Sequence, residues 1–323
     1  MNTLHHDIFT IKDETMFNRI ALDVFQYQYN NIPVYRQFVE QLNKIHPQHY
    51  SEIPFLPISF FKTHKICKEN TPEDVLFMSS GTTGQIRSKH YVENSSLYIR
   101  SFEQAYHLLI GDPKKQVILA LLPNYIEQGN SSLVFMVDHL IKQSGDPLSG
   151  FLLNQPEEVL KRYEEAVIRG KEIVVFGVSY ALLDLAEKGF SFQHARIIET
   201  GGMKGRREEL SKSELHERLK TGMHVEYISS EYGMTELLSQ AYSNKNGVFE
   251  CPPWMKICIR DINDPFSYTA DGKSGGINVI DLANINSCSF IATEDLGKKR
   301  GETFEILGRI DLSDLRGCNL LVQ

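Results

Sequence analysis

The chain has 323 residues, of which 41% are hydrophobic and 23% charged, and its formal net charge is −7. This composition is that of a soluble globular protein with a substantial core, built as one large domain with subdomains or as two domains. Lysine and arginine are scattered without a basic block, so no nucleic-acid partner is expected.

The cysteines and the start of the chain indicate the cellular compartment expected for the protein. The five cysteines include no CxxC pair, which indicates neither a disulfide framework nor a zinc site. Free thiols fit a reducing cytoplasm, which is the location expected here. Residues 1–13 lack the apolar stretch of a signal peptide. The sequence contains no run of roughly 18 apolar residues, so no membrane span is expected.

Helical periodicity dominates the first part of the chain. Apolar residues recur at i, i+3, i+4 and i+7 within residues 14–45, which predicts a helical region that Pro33 divides in two. Residues 53–62 contain two prolines within four positions, so an extended segment is expected there.

From about residue 74 to residue 228, short apolar runs alternate with helical patterns. Strands are predicted at 75–78, 117–122, 173–176, 195–198 and 224–228, and helices at 95–110, 131–143, 156–169, 179–188 and 206–220. Strands separated by helices imply βα units and a mostly parallel sheet. After about residue 240 the runs become short and alternating, which predicts a smaller β-rich subdomain.

A loop rich in glycine and hydroxyl side chains follows the first predicted strand. Glycine lets the backbone approach a ligand closely, and hydroxyl and N–H groups can donate to phosphate oxygens. The loop lacks the Gly-Lys-Ser/Thr ending of a Walker A motif, and a plain surface turn is the alternative. Arg87 would add a counter-charge for phosphate, which favours a functional role. The candidate residues are Ser79, Ser80, Gly81, Thr82, Thr83, Gly84 and Arg87.

Three further segments carry polar residues suited to a nucleotide. Residues 230–236 follow the last strand predicted for the parallel sheet, where open α/β sheets bind ligands, although Glu236 could instead be an exposed carboxylate at a helix start. Asp295 suits either a ribose hydroxyl or a turn. Arg309 and Asp311 lie in a Gly-Arg-Ile-Asp segment and could equally form a surface ion pair.

In order and spacing, these four segments resemble the motifs of the adenylate-forming superfamily, which includes acyl- and aryl-CoA ligases, luciferases and peptide-synthetase adenylation domains. Other stretches resemble its short acyl-protein synthetase (LuxE-like) branch, which serves fatty-acid reductase systems. These stretches are residues 57–64, 122–125, 129–133, 200–205 and 315–318. The resemblance covers nearly the whole chain from about residue 50.

The resemblance implies an α/β fold, the large N-terminal domain of the adenylate-forming enzymes, with mixed βα sheets and a small β-rich subdomain. This domain would occupy residues 1–315, with βα subdomains up to about 240, a β-rich subdomain at about 241–315, and a tail at 316–323. The mobile C-terminal domain, together with the lysine that assists adenylation, is expected to be absent.

The resemblance also implies roles for single residues, with ATP and Mg²⁺ as cofactors. The glycine- and hydroxyl-rich loop and Arg87 would hold the triphosphate, although the superfamily usually has lysine at Arg87 and proline at Ile86. Thr235 and Glu236 would act in catalysis, with Glu236 also the Mg²⁺ ligand. The remaining nucleotide contacts would come from Gly201, Gly202, Tyr232, Gly233, Asp295 and Arg309.

The activity implied is ATP-dependent conversion of a carboxylic acid, a fatty acid by resemblance, to acyl-AMP. The acyl group would then pass to a protein cysteine and on to a partner reductase or acyltransferase. Cys318 matches the acceptor position of the branch, whereas a small buried tail residue is the alternative for it. The acid pocket would use parts of 121–133, 176–180 and 200–204. Two other functions stay open: ligation to coenzyme A or a carrier protein, and a nucleotide-binding scaffold without catalysis.

Overall fold

A computed structural model describes residues 2–80, 86–123, 130–201, 207 and 210–310 of the chain. Its α-helices are α1 (Asn2–Asp7), α2 (Glu14–Asn31), α3 (Pro33–Gln41), α4 (Phe60–Thr63), α5 (Ser95–Leu109), α6 (Ser132–Ser144), α7 (Pro156–Ile168), α8 (Ser179–Ala186) and α9 (Lys212–Met223). Within the described ranges, no helix has the length and apolarity needed to cross a membrane.

The strands form two large sheets and one separate hairpin. They are β1 (Leu56–Pro57), β2 (Val75–Met78), β3 (Lys89–Val92), β4 (Gln116–Leu121), β5 (Gly150–Phe151), β6 (Glu172–Val178), β7 (Ala195–Thr200), β8 (Ser229–Tyr232), β9 (Ala241–Ser243), β10 (Val248–Phe249), β11 (Met255–Arg260), β12 (Ser274–Asp281), β13 (Phe290–Arg300) and β14 (Thr303–Arg309). β2 and β3 make the antiparallel hairpin, so the first predicted strand stands apart from the parallel sheet.

The first large sheet has the strand order β5-β4-β6-β7-β8-β9, and only the edge strand β9 runs antiparallel. The chain moves from β4 to β5 in one direction and then returns past β4 to β6. Right-handed crossovers therefore put α6 on one face of the sheet and α7, α8 and α9 on the other. Helix α5 packs beside α6. The reversal at β4 and β6 creates a crevice beyond their carboxyl ends, where sheets of this kind bind ligands.

The second large sheet is mostly antiparallel. Its strands follow the order β10-β14-β13-β12-β11, and β1 adds to β13 in parallel. The extended segment predicted at 53–62 thus supplies a strand to a distant part of the chain. Its end, however, forms helix α4, because both prolines precede the helix and neither interrupts its hydrogen bonds.

Local chemistry explains where several helices begin. The carboxylate of Asp13 accepts a hydrogen bond from the N–H of Met16 at 2.8 Å and so caps α2. Pro33 occupies the first turn of α3, which divides the predicted helical region where expected. The core face of α2 includes Phe17 and Ile20, both nearly inaccessible to solvent.

The strand predicted at 224–228 is wrong. Helix α9 begins after Ser211, which forms a reciprocal capping box with Glu214, and so extends beyond its predicted end at residue 220. His224 then takes a left-handed conformation with φ of 57° and ends the helix. The strand that follows is β8, which therefore contains Ser230 and Tyr232 instead of preceding them.

Candidate active site

A cleft of about 1650 Å³ opens beyond the carboxyl ends of the parallel strands, with walls from both large sheets and from the β2–β3 hairpin. Every predicted site residue within the described part of the chain lines it: Ser79, Ser80, Arg87, Gly201, Tyr232, Gly233, Thr235, Glu236, Asp295 and Arg309. Gly81, Thr82, Thr83, Gly84, Gly202 and Cys318 lie outside the described residues. The tertiary fold thus gathers segments that are far apart in the sequence.

The hairpin presents hydroxyl groups at one end of the cleft. The N–H of Ser79 donates to the carbonyl of Ser88 at 3.1 Å, and the N–H of Ser88 donates to Oγ of Ser79 at 2.9 Å. Met78 is tied in turn to the opposite wall, since its N–H donates to the carbonyl of Asn130 at 2.8 Å. Arg87 is exposed and lines the cleft. Hydroxyl and guanidinium groups therefore converge where an anion could bind.

Thr235 and Glu236 lie close to the hairpin in a buried turn. His90 of β3 hydrogen-bonds the carbonyl of Thr235 at 2.8 Å and Oδ1 of Asn284 at 3.0 Å. Asn284 in turn donates from Nδ2 to the carbonyl of Glu236 at 2.8 Å. Burial lowers the pKa of His90 to about 4. These contacts fix the turn from its backbone and leave its side chains to the cleft.

Glu236 is not the exposed helix-start carboxylate considered as an alternative. Its side chain belongs to a residue that is 5% exposed, and burial raises its pKa, with Ser88 the main opposing hydrogen-bond partner. Lys62 also lies near enough to oppose this rise in pKa, and it lines the cleft. A carboxylate in this position gains from a bound cation, which would replace the lost hydration.

A second group of predicted residues in the cleft is a cross-strand pair. Asp295 of β13 and Arg309 of β14 are register partners, and their side chains approach to 3.7 Å between Oδ1 and Nε. Tyr232 donates its hydroxyl to Oδ2 of Asp295 at 2.8 Å. Burial raises the pKa of Asp295, while Tyr232 and Arg309 oppose that rise. Arg309 therefore pairs with Asp295, and the Asp311 considered as its partner lies outside the described residues.

Two further buried carboxylates lie at the ends of β7 and β8, and the sequence analysis missed both. Glu199 pairs with Lys212 of α9 and has His216 at 3.5 Å. Burial is the largest single influence and would raise the pKa of Glu199, but the Lys212 ammonium and hydrogen bonds with His216 and Ser230 together outweigh it and lower the pKa to about 2. The Ser179 hydroxyl also donates to this carboxylate, at 3.2 Å. Glu199 is thus a fully compensated anion on the α9 side of the sheet.

No cation of the described residues forms an ion pair with Glu231, although the more distant Lys212 charge opposes the rise in its pKa. The hydroxyl of Thr200 donates to its Oε2, and burial raises its pKa to about 7 against this hydrogen bond. The one available signal for both carboxylates was their position, because each is the penultimate residue of a strand in the parallel sheet, two positions before Gly201 or Gly233. Nothing in the residue pattern distinguishes them from other strand residues.

The fold is that of the large domain of adenylate-forming ligases. An open conformation of 2-hydroxyisobutyryl-CoA ligase matches with a TM-score of 0.65 at 12% identity, over 90% of this chain and 73% of that one. MatB from Rhodopseudomonas palustris, in an ATP-bound crystal structure, matches with a TM-score of 0.54 at 16% identity, over 74% of this chain. This chain covers 48% of that MatB structure, about half its length. The predicted fold class is confirmed.

The family follows from the sequence itself. The family model for acyl-protein synthetase, LuxE, matches residues 7–323, and the chain belongs to this family. A relative from Vibrio harveyi, the long-chain-fatty-acid–luciferin-component ligase, is 25% identical over 344 aligned positions, which cover 96% of this chain and 88% of the relative. The predicted family and enzyme class, an AMP-forming acyl ligase, are confirmed.

Proposed function

We propose that the chain uses ATP and Mg²⁺ to convert a carboxylic acid into acyl-AMP and then transfers the acyl group to a protein cysteine. The observation that carries this proposal is the meeting of four separate motif segments in one cleft. By analogy with the Vibrio harveyi relative, whose name specifies a long-chain fatty acid, the acid is a fatty acid. The acyl group would pass from the cysteine to a partner reductase or acyltransferase.

Two groups of residues support contacts to different parts of the nucleotide. Ser79, Ser80 and Arg87 supply donors for phosphate oxygens beside the hairpin. Asp295 and Arg309 suit the ribose hydroxyls, since a carboxylate accepts from them and a guanidinium donates to them. Gly201, Gly233 and Tyr232 would adjoin the base.

Adenylation is a displacement at the α-phosphate. A carboxylate oxygen of the acid attacks phosphorus, the new O–P bond forms, and the bond to the leaving pyrophosphate breaks. Thr235 would donate to a phosphate oxygen, and Arg87 and the hairpin hydroxyls would stabilise the charge that develops there. No proton is gained or lost in this step, so the residues act by orientation and electrostatics.

Glu236 is the proposed Mg²⁺ ligand, and the residues around it fit this ion. The described residues contain no group of three or more His, Cys, Asp or Glu side chains able to hold a metal. A single carboxylate suits Mg²⁺, which proteins commonly hold by one or two carboxylates together with substrate phosphates. Bound there, the ion would neutralise phosphate charge in the transition state.

The second step needs a thiolate that attacks the acyl carbon as AMP leaves. Burial raises the pKa of Cys251 to about 12, of Cys258 to about 11 and of Cys288 to about 12, so none of these is a ready nucleophile. The pKa of Cys67 is raised as well. These environments favour Cys318 as the acceptor, since the four cysteines within the described ranges are all poorly suited to the role.

The test is intact-protein mass spectrometry after incubation with MgATP and a panel of carboxylic acids. We expect a hydroxylamine-sensitive acyl adduct on the wild type and on a Cys258→Ser control, and none on Cys318→Ser. Pyrophosphate release without an adduct would mean that the acyl group leaves for an external thiol such as coenzyme A. The absence of both adduct and pyrophosphate would contradict the proposed catalytic function.

A further inference from the structure

The carboxyl ends of β7 and β8 present different side chains to the two faces of the sheet. Strand residues alternate between faces, and Glu199 pairs in register with Ser230. Glu199 therefore faces α9, where Lys212 neutralises it. The next pair along the strands, Thr200 and Glu231, faces the opposite side, toward α5 and α6. This second face carries the inference.

Glu231 is 7% exposed and yet belongs to the lining of the cleft. Its Oε2 accepts the hydroxyl of Thr200, which leaves Oε1 beside Gly233. A Cβ added to Gly233 would come within 2.4 Å of that oxygen, so glycine keeps the space open. A buried carboxylate oxygen that lies toward a cavity can accept a hydrogen bond from a bound ligand, which would offset the cost of its burial.

A second acceptor stands next to it. Gln240 is 3% exposed and lines the same cleft, and its Cγ would lie 3.2 Å from the added Cβ of Gly233. Within the described part of the chain, its Oε1 is buried and has no hydrogen-bond partner. Buried amide oxygens are nearly always paired in folded proteins, so an unpaired one in the wall of a cavity indicates a missing donor.

Among the described residues, the facing wall donates no hydrogen bond to Oε1 of Gln240. The hydroxyl of Tyr98, on α5, donates to the carbonyl of Ser132 at 2.9 Å, and Met136 of α6 is apolar. Leu133 completes an apolar surface on this side. An alkyl chain could pack against this surface. On the other side of the cleft, however, it would cover Glu231 and Gln240 without donating a hydrogen bond to either.

We propose that the acid bound in this cleft carries a hydrogen-bond-donating substituent, a hydroxyl or an amino group, that is held by Glu231 and Gln240. The inference rests on acyl-AMP formation as the proposed function and specifies the class of acid. A site whose buried acceptors lose their donor discriminates strongly, because the unpaired groups keep the full cost of desolvation. An unsubstituted fatty acid is then the poorer substrate.

The experiment compares octanoate with its 2-hydroxy, 3-hydroxy and 3-amino derivatives by pyrophosphate release. For the wild type we expect at least one substituted acid to exceed octanoate by about tenfold or more in kcat/KM. The hydroxy and amino acids distinguish a neutral donor from a cationic one. Glu231→Met should bring this preference close to one. Glu231→Gln keeps the volume and one acceptor oxygen, so it should retain part of the preference even if the methionine variant fails to fold.

The control is Glu217→Met, which removes a different carboxylate of the cleft, on α9, and should leave the preference unchanged. Equal kcat/KM for octanoate and all its derivatives would overturn the inference while leaving acyl-AMP formation intact. A raised KM for ATP in Glu231→Gln, with the acid preference unchanged, would also overturn it, because Glu231 would then serve the amino group of the nucleotide. Absence of pyrophosphate with every acid would refute the proposed function and this inference together.

Discussion

Glu199 and Glu231 are close neighbours on adjacent strands, and both are almost fully buried. Burial penalises the charge of each, but among the described residues only Glu199 forms an ion pair with a lysine. The pKa of Glu199 is accordingly lowered to about 2, whereas that of Glu231 is raised to about 7. The helix packed on each face, and not the strand, therefore decides whether a carboxylate near a strand end is neutralised by a lysine.

The largest expected change in stability comes from removing the cation that pairs with Glu199. Lys212→Met should lower the free energy of unfolding by about 3–5 kcal/mol at pH 7, because it leaves a buried carboxylate unpaired. Urea denaturation measures this change. As a control, Lys220→Met removes the exposed pair with Glu217 and should cost less than about 1 kcal/mol. Equal losses for the two variants would mean that the Glu199 pair is energetically ordinary.

Glu236 is a third buried carboxylate, and its cation would be the Mg²⁺ that binds together with the nucleotide. Glu236→Gln should reduce kcat for pyrophosphate release by about 10²–10³, equivalent to about 3–4 kcal/mol, since a preorganised electrostatic contact would be lost. Stability without ligand should change little or rise, because burial raises the pKa of Glu236. Stopped-flow or coupled pyrophosphate assays at saturating ATP give kcat. An unchanged kcat would remove Glu236 from the proposed machinery.

The pH dependence of stability should separate Glu199 from Glu231. Because the folded pKa of Glu231 is about 7 against an ordinary value of 4.5, folding favours its protonated form. Its contribution is present below pH 4.5 and is lost as the pH rises to about 7, on the order of 3 kcal/mol. Glu231→Gln should remove this loss, which urea midpoints between pH 5 and pH 8 would measure.

Glu199 should show the reverse trend. Its folded pKa is about 2, so the stability it contributes is present above pH 4.5 and is lost as the pH falls toward 2. Glu199→Gln should therefore cost stability at neutral pH, where Glu231→Gln is neutral or stabilising. The same response from both variants would show that the two environments are not distinct.

The smallest expected effect concerns the cross-strand pair of Asp295 and Arg309 in the cleft. Tyr232→Phe removes the hydroxyl that donates to Asp295 at 2.8 Å. The loss should be about 1.5 kcal/mol, the lower end of the usual range for a hydrogen bond to a charged group. If Asp295 binds ribose, KM for ATP should rise several-fold while kcat changes less. A large fall in kcat instead would assign Tyr232 to the chemical step.

Much of the fold and part of the site were predictable from local patterns. Alternating apolar runs and amphipathic helices gave the parallel sheet, and the break at Pro33 falls where a proline must begin a helix. The strand at 224–228 was misplaced because Val225 and Tyr227 alternate as in a strand, whereas the capping box at Ser211 shifts the helix toward them. Boundaries depend on such competing local signals, so they were the weakest predictions.

The order of the motifs and the residue types that nucleotide chemistry needs could be predicted from the sequence alone, because these are local properties of the chain. The tertiary structure supplies the pairing of Arg309 with Asp295, the neutralisation of Glu199 by Lys212, and the unpaired amide oxygen of Gln240 near Glu231. Each of these outcomes depends on strand register, on which helix covers which face, and on the loss of water around a charge. Those quantities arise when distant segments pack together, so no short stretch of sequence contains them.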